Sequence, residues 1–140
     1  MDSTSIELVG SRIDRVEVDG ERVRIRFEPA YLIKTMTGSV ERTRWWQNGW
    51  LVFEQAELED DAVLAELPAD CAGGDVGENI YTYRDMLPVP LESAGQAHCD
   101  LALAGSERRI RVTGRAVRLE LEDVAKYIEH IRPEQAPSGG

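Results

Sequence analysis

The chain has 140 residues, of which 42% are hydrophobic and 30% are charged, and its formal net charge is −10 at pH 7. This size and composition predict a single globular domain over residues 1–132 that needs no disulfide to fold. The negative charge opposes binding to nucleic acid and to anionic membranes.

No apolar run reaches the ~20 residues of a transmembrane helix, and the N-terminus lacks signal-peptide features. We therefore expect a cytoplasmic protein. The presence of only two lysines among 16 basic residues is typical of a GC-rich bacterial genome.

A first hairpin is predicted by residues 16–27, where apolar and charged residues alternate on both sides of Asp19-Gly20. An Asp-Gly pair tolerates the positive φ angles of a tight two-residue turn. If these two residues form the turn, Val18 lies opposite Glu21, and the apolar side chains of both strands share one face.

A second hairpin is predicted around Asn48-Gly49, because residues 42–55 carry large apolar side chains on both sides of this pair. Both faces of that hairpin carry aromatic residues, so it is either covered on both sides or exposes a tryptophan. Before it, Pro29 is expected to end the preceding strand or to confine it to a sheet edge, because proline has no amide proton for the ladder.

The middle of the chain carries weaker strand signals. The acidic run 59–61 ahead of residues 62–67 predicts a helix of at most two turns, which Pro68 ends. Residues 68–77 include three glycines and predict a loop, in which Cys71 would be open to solvent.

Two further segments are predicted to be extended. Residues 80–83 predict a short strand. Residues 87–91 contain Pro88 and Pro90, which indicates an edge segment or an extended crossover and excludes a central strand.

A third hairpin is predicted around Gly105-Ser106, again from the alternation of the flanking residues. Its register places Leu101 opposite Ile110. A change of phase after Gly114 indicates a turn or a bulge at that residue.

Near the C-terminus, apolar residues recur at the helical spacing i, i+3, i+4, i+7, at Val124, Tyr127, Ile128 and Ile131. This spacing predicts a short helix packed on the sheet. Residues 133–140 are rich in proline, glycine and serine and predict a disordered tail. Taken together, the segments predict a mainly β fold, a single antiparallel β-sandwich or partly open β-barrel with a short C-terminal helix.

Residues that would support catalysis are sparse. The sequence has no Gly-x-Ser-x-Gly elbow. His98 and Asp100 are two apart on a strand, but a metal site needs further ligands, so we favour a surface histidine. The glycine run 73–77 lacks the lysine of a phosphate-binding loop. We predict no catalytic residue, metal or cofactor, and a hydrolase or metal-dependent enzyme is the least favoured class.

The best functional signal is a cluster of tryptophan and arginine, the residue types enriched at binding hot spots. The candidate binding residues are Arg42, Arg44, Trp45, Trp46 and Trp50, with Tyr81, Tyr83 and Arg84 beside the glycine-rich segment as a second group. The competing interpretation is that the tryptophans fill the core. The arginine row Arg22, Arg24 and Arg26 is expected to pair with acidic residues of neighbouring strands.

These observations favour a non-enzymatic protein-interaction module whose acidic surface meets a protein partner or a second copy of the chain. The alternative is a small-ligand-binding β-barrel with Trp46, Tyr81 and Tyr83 at its mouth. An exposed tryptophan patch would favour the first, and a large interior cavity would favour the second.

Overall fold

The computed structural model describes residues 2–38 and 40–131, and these form a mainly β fold, as predicted. A six-residue 3₁₀ helix, Asp61–Glu66, is the helical element of the described part. The strands are, in chain order, β1 (Ser3–Glu7), β2 (Arg12–Asp19), β3 (Arg22–Thr35), β4 (Arg42–Glu54), β5 (Glu57–Leu58), β6 (Ala69–Glu78), β7 (Tyr81–Arg84), β8 (Met86–Val89), β9 (Glu92–Leu103), β10 (Arg109–Leu121) and β11 (Lys126–Ile131).

Six of the strands close into an antiparallel barrel in the order β2-β3-β4-β10-β9-β6. The ring is completed where β6 meets β2 through the pairs Arg12–Asp70 and Ile13–Ala69. A barrel of this size has room inside only for side chains. Its interior is filled by large residues that are less than 2% exposed, among them Phe27, Phe53, Ile25, Leu51, Leu101 and Ile110.

A second sheet region projects from this barrel because β3 and β4 continue together past their pairing with β2 and β10. Beyond the barrel, β3 pairs with β1, β1 pairs with β8, and β4 pairs with β11. The resulting order is β8-β1-β3-β4-β11, and we call this five-stranded part the sheet extension. β7 pairs with β6 and β5 with β10 outside the ring.

Two of the three predicted hairpins are present. The third has the predicted register, with Leu101 opposite Ile110, and its ladder shifts after Gly114 as expected. The first is formed by β2 and β3, but its turn is Gly20-Glu21 and Val18 lies opposite Val23. Gly20 has φ 62°, as a turn of type II′ needs at its first central position. The displacement is two residues, so each face keeps its predicted side chains.

The second predicted hairpin is wrong, because residues 42–54 form the single strand β4. Gly49 lies in the middle of that strand and serves a close strand contact. A Cβ atom there would lie 2.7 Å from the carbonyl oxygen of Glu120 on β10. Pro29 does not end β3 either; the ladder to β4 is interrupted between Phe27 and Ala30 and then resumes.

The predicted loop at residues 68–77 is also wrong, since most of it is barrel strand β6. Its glycines allow β9 to approach. A Cβ atom on Gly74 would lie 2.2 Å from the carbonyl oxygen of Asp100, and one on Gly77 would lie 2.0 Å from the His98 ring. Cys71 is consequently buried in the wall of the barrel, 2% exposed.

The predicted C-terminal helix is wrong: residues 126–131 form β11, antiparallel to β4. The ladder has a bulge between Tyr127 and Glu129, so the helical spacing of the apolar residues is coincidental.

Two predictions for the middle of the chain agree with the structure. The short helix is present as the 3₁₀ helix, with Asp60 as its N-cap, and residues 86–89 form the edge strand β8. The predicted tail, residues 133–140, lies outside the described residues.

Candidate binding surface

The three tryptophans of β4 lie in three different environments. Trp45 and Trp46 are consecutive on a strand, so their side chains point to opposite faces of the sheet extension. Trp50 lies further along β4, on the outer face of the barrel, opposite Arg26 of β3. The cluster seen in the sequence is therefore divided: Trp45 lies on one face of β4, and Trp46 and Trp50 lie on the other face with Asn48 between them.

Trp50 is enclosed by arginines of the same chain and is only 9% exposed. The guanidinium carbons of Arg15, Arg24 and Arg26 lie 5.1, 4.2 and 5.0 Å from its ring centroid, within cation–π range. Its indole nitrogen donates to a carboxylate oxygen of Glu122 at 3.2 Å. Trp50 thus stabilises the barrel surface and offers little area to a partner.

The arginine row of β3 is paired with carboxylates, as predicted. Arg24 contacts Glu17 at 2.6 Å, and Arg26 contacts Glu122 at 2.7 Å. The guanidinium of Arg26 lowers the pKa of the Glu122 carboxyl, and Glu122 in turn raises the pKa of Arg26. These charges neutralise one another, so the row is not an open anion-binding site.

Trp45 lies on the face of the sheet extension that packs against the core. Its ring meets Tyr127 of β11 edge-to-face at a centroid distance of 5.4 Å, and the Lys34 ammonium lies 4.2 Å from its centroid. The indole nitrogen donates to the Thr43 hydroxyl at 2.8 Å. Trp45 therefore fastens β11 to β4.

Trp46 lies on the opposite face, where two shallow clefts meet at Tyr31. One has a volume of about 360 Å³ and is lined by Glu28, Pro29, Tyr31, Trp46 and Asn48. The other, about 390 Å³, is lined by Glu7, Val9, Gly10, Tyr31, Arg44 and Ile128. Aromatic, aliphatic and guanidinium groups thus share one open surface, which is a composition typical of binding sites.

Arg44 holds this surface together. Its guanidinium contacts Glu129 of β11 at 2.5 Å and Glu7 of β1 at 3.4 Å. The bulge in β11 places Ile128 and Glu129 on the same side as Arg44, which is why Ile128 lines the cleft. Arg42, one ladder step further out, is exposed and lies opposite Ile131.

The outer edge of β11 has no strand partner among residues 2–38 and 40–131. Its side chains are largely exposed: Tyr127 is 52% and Ile128 is 38% accessible, and Val124 just before the strand is 77% accessible. An unpaired strand edge with exposed apolar side chains is a template for pairing with another chain. We call the β11 edge together with the Tyr31–Trp46 face the β11 surface.

The second predicted group, on β7, lies apart from the tryptophans. β7 pairs with β6, which is three strands away from β4 in either direction around the barrel. Arg84 is engaged by Asp75 at 2.8 Å, and the Tyr83 hydroxyl donates to Glu78 at 3.0 Å. Tyr81 is 61% exposed. The two tyrosines therefore lie beside the barrel wall opposite β4, apart from Trp46 on the sheet extension.

Several residues of the β11 surface were not predicted. Tyr31 faces Trp46 only because of the β3–β4 register, which the expected turn at Asn48-Gly49 obscured. Tyr127 and Ile128 had been assigned to a helix. The alternation of large apolar residues on both sides of Pro29 was the one signal that could have revealed a long β3.

No arrangement typical of an active site emerges in the described part of the chain. His98 is exposed and its ring covers Gly77, while Asp100 is held by Arg109 at 2.5 Å. The described residues contain no group of three or more His, Cys, Asp or Glu side chains placed to hold a metal ion. Nor is there, in the same residues, a helix with the length and apolar character needed to cross a membrane.

Comparison with known proteins gives no relative: no family model, no curated protein and no solved structure matches this chain.

Proposed function

We propose that the protein is a non-enzymatic interaction module that binds an extended segment of a partner protein along β11. The observation that carries this proposal is the unpaired outer edge of β11 flanked by the exposed side chains of Tyr127 and Ile128. In such binding, backbone hydrogen bonds supply affinity and the alternating side chains of the added strand supply specificity.

The two edges of the sheet extension differ in a way that favours β11. The opposite edge is β8, which contains Pro88 and is followed by Pro90. Proline removes backbone donors and is a common means of protecting an edge from pairing. β11 contains no proline, and its ends carry the side chains Lys126 and Ile131. An incoming strand would therefore pair at β11 rather than at β8.

Side chains beside β11 provide the complementary contacts. On one face an added strand would lie next to Tyr127, which rests on Trp45. On the other face it would reach Ile128 and the cleft of about 390 Å³ shared with Tyr31 and Arg44. Tyrosine and arginine, here Tyr127, Tyr31 and Arg44, are among the residue types that account for most of the binding energy at protein interfaces.

The ligand-binding alternative has less support. Phe27, Phe53 and Leu51 are among the side chains that occupy the barrel interior, so a small molecule would have to bind in a surface cleft.

We also propose a bacterial cytoplasmic setting. The lysine-poor composition supports a bacterial origin. The free cysteines Cys71 and Cys99 support a reducing compartment such as the cytoplasm.

The test is a selection of displayed random peptides against the protein, followed by NMR titration of the 15N-labelled chain with the strongest binder. We expect the largest amide shifts at residues 124–131 and slower hydrogen exchange at the outer amides of β11. The double variant Tyr127→Ala/Ile128→Ser should weaken binding at least tenfold, and the edge control Met86→Ser should not.

Two results would contradict the proposal. One is a selected peptide whose shifts map away from β11, and the other is a selection that yields no binder. Analytical ultracentrifugation tests the other possible occupant of the edge, a second copy of the chain. A dimer that dissociates in the Tyr127→Ala/Ile128→Ser variant would assign the edge to that second copy.

A further inference from the structure

A further cleft lies at the end of the barrel opposite the sheet extension. It is formed by the turn of the β2–β3 hairpin, the segment 56–58 and the 3₁₀ helix, and its volume is about 390 Å³. The 3₁₀ helix contributes Val63 to the barrel core, and the Val63 side chain is 0% exposed. The depression between the helix and the hairpin lies at this end of the barrel, and we call it the mouth cleft.

The floor of the mouth cleft is apolar. Val18 points to the same side of β2 as the buried Val16, but it lies next to the hairpin turn and is 50% exposed. Leu64, on the outward side of the 3₁₀ helix, is 39% exposed. Leu58 and Ala56 complete the lining. Exposed aliphatic side chains gathered around a depression are a feature of interaction sites.

Carboxylates surround this apolar floor. Glu57 and Asp61 line the cleft itself, and Glu21 lines an adjoining cleft of about 400 Å³ together with Gln55 and Arg115. Within the described residues, the carboxylates of Glu21, Glu57 and Asp61 form no ion pair, whereas Asp60 is neutralised by Arg108 at 3.1 Å. Among residues 2–38 and 40–131, Arg115 is the one cation that lines either cleft.

We propose that the mouth cleft docks a basic segment of a partner protein, with one large aliphatic side chain in the cleft and arginine or lysine on each side of it. The apolar floor matches the aliphatic side chain, and Glu57, Asp61 and Glu21 match the flanking cations. The net charge of −10 also steers a cationic segment toward the protein. Nucleic acid does not fit, because its phosphates would be repelled by the same carboxylates.

This site is independent of the β11 surface. β3 runs from Val23 at the mouth to Thr35 in the sheet extension, which is roughly 40 Å of strand at about 3.3 Å per residue. A partner segment at one end would not touch the other. The proposal for the mouth cleft can therefore be tested whatever the outcome of the experiment on β11.

The probe is a fluorescein-labelled peptide of repeating Lys-Arg-Leu, with a matched Glu-Gln-Leu peptide as the acidic comparison. Binding is measured by fluorescence anisotropy at 50 and 300 mM NaCl and located by NMR amide shifts. We expect the basic peptide to bind at low salt, to weaken at high salt, and to shift amides at residues 18–21 and 56–64. The acidic peptide should not bind.

Variants separate a specific site from general attraction to an acidic protein. Glu57→Gln/Asp61→Asn should weaken binding at least fivefold, and Leu64→Ser should weaken it at both salt concentrations. The control Glu92→Gln/Asp123→Asn removes the same charge from exposed residues elsewhere and should change affinity less than twofold. Equal losses in the two double variants, shifts away from the mouth cleft, or no binding at low salt would overturn the proposal.

Discussion

The Ser11 hydroxyl accepts a hydrogen bond from the backbone amide of Tyr31 at 2.9 Å, across the break between β1 and β2. It also donates to the carbonyl oxygen of Glu7 at 2.6 Å, and the residue is 0% exposed. Because β1 and β2 follow each other along the same edge of β3, the chain between them cannot complete the ladder with its own backbone. The serine side chain supplies the missing acceptor.

Ser11→Ala should therefore destabilise the fold, by about 1–3 kcal/mol, because it leaves a buried amide and a buried carbonyl without partners. Urea denaturation followed by tryptophan fluorescence measures the change. Ser106→Ala is the matched control: its hydroxyl accepts from the Arg108 amide at 3.0 Å in an exposed turn, where water can replace it. Equal losses for the two variants would argue against the bridging role of Ser11.

Gly74→Ala should be among the most damaging single changes in the barrel. Gly74 has φ +144°, and a Cβ atom would lie 2.2 Å from the carbonyl oxygen of Asp100. We expect a loss of roughly 3–5 kcal/mol or failure to fold, since both strain and a backbone clash are introduced.

Gly105→Ala is the control for strain alone, because φ is +80° there and a Cβ atom would meet nothing within 4 Å. It should cost only about 1–2 kcal/mol. Thermal unfolding of both proteins, followed by circular dichroism, gives the comparison. A Gly74→Ala protein as stable as Gly105→Ala would mean that β6 and β9 are not so closely apposed.

Acid should weaken the fold through the carboxylates paired on its outer surface. Arg22 is the largest cause and Arg118 the second cause of a lowered pKa at Glu54. A carboxyl whose folded pKa is lowered stabilises the protein above its ordinary pKa of about 4.3, and loses that contribution as the pH falls through the folded value. The melting temperature should accordingly drop as the pH falls below about 4.3.

Glu54→Gln makes this prediction specific. At pH 7 the variant should melt about 1–3 °C below the native protein, because it loses a largely surface ion pair with each arginine. The difference between the two proteins should shrink as the pH falls through the lowered pKa of Glu54, because protonation removes its charge from the native protein. A difference that stays constant from pH 7 to pH 2 would show that the charge of Glu54 is irrelevant.

Both cysteines should be unreactive in the folded protein. Cys71 and Cys99 are each 2% exposed, and burial is the largest cause of a raised pKa at both thiols. The thiolate is the reactive form, so labelling by an aromatic disulfide reagent at pH 8 should be slow in buffer and should reach two thiols per chain in denaturant. Rapid labelling of either cysteine in the native state would contradict the burial of β6 and β9.

Alternation on both sides of a turn predicts which strands pair, although the first hairpin shows that the register can still be displaced by two residues. The register of Leu101 and Ile110 follows from such alternation, and so does the position of the bulge at Gly114. Prediction failed where a glycine has a packing role. Gly49 and Gly74 make room for carbonyl oxygens of strands more than 25 residues away in sequence, and nothing local distinguishes such glycines from turn glycines.

The candidate site was predicted less well than the fold. The chemistry of Trp46 and Arg44 could be recognised from residue type. Their surroundings depend on the β3–β4 register and on β11, which an apolar spacing close to 3.6 residues disguised as a helix. The sequence also groups Trp50 with Trp46, and β4 carries both on one face. Their neighbours differ, because three arginines cover Trp50 whereas Trp46 lies opposite Tyr31.

The narrow junction between β2 and β6 has a consequence for the β11 surface. The ring is fastened there by Arg12–Asp70 and Ile13–Ala69, and by the amide of Gly10, which donates to the carbonyl oxygen of Cys71 at 2.9 Å. Gly10 also lines the cleft that contains Ile128. A partner residue bound in that cleft would contact the β2–β6 junction that closes the barrel. Its binding would stabilise the closed barrel, and after its dissociation the barrel would open first at this junction.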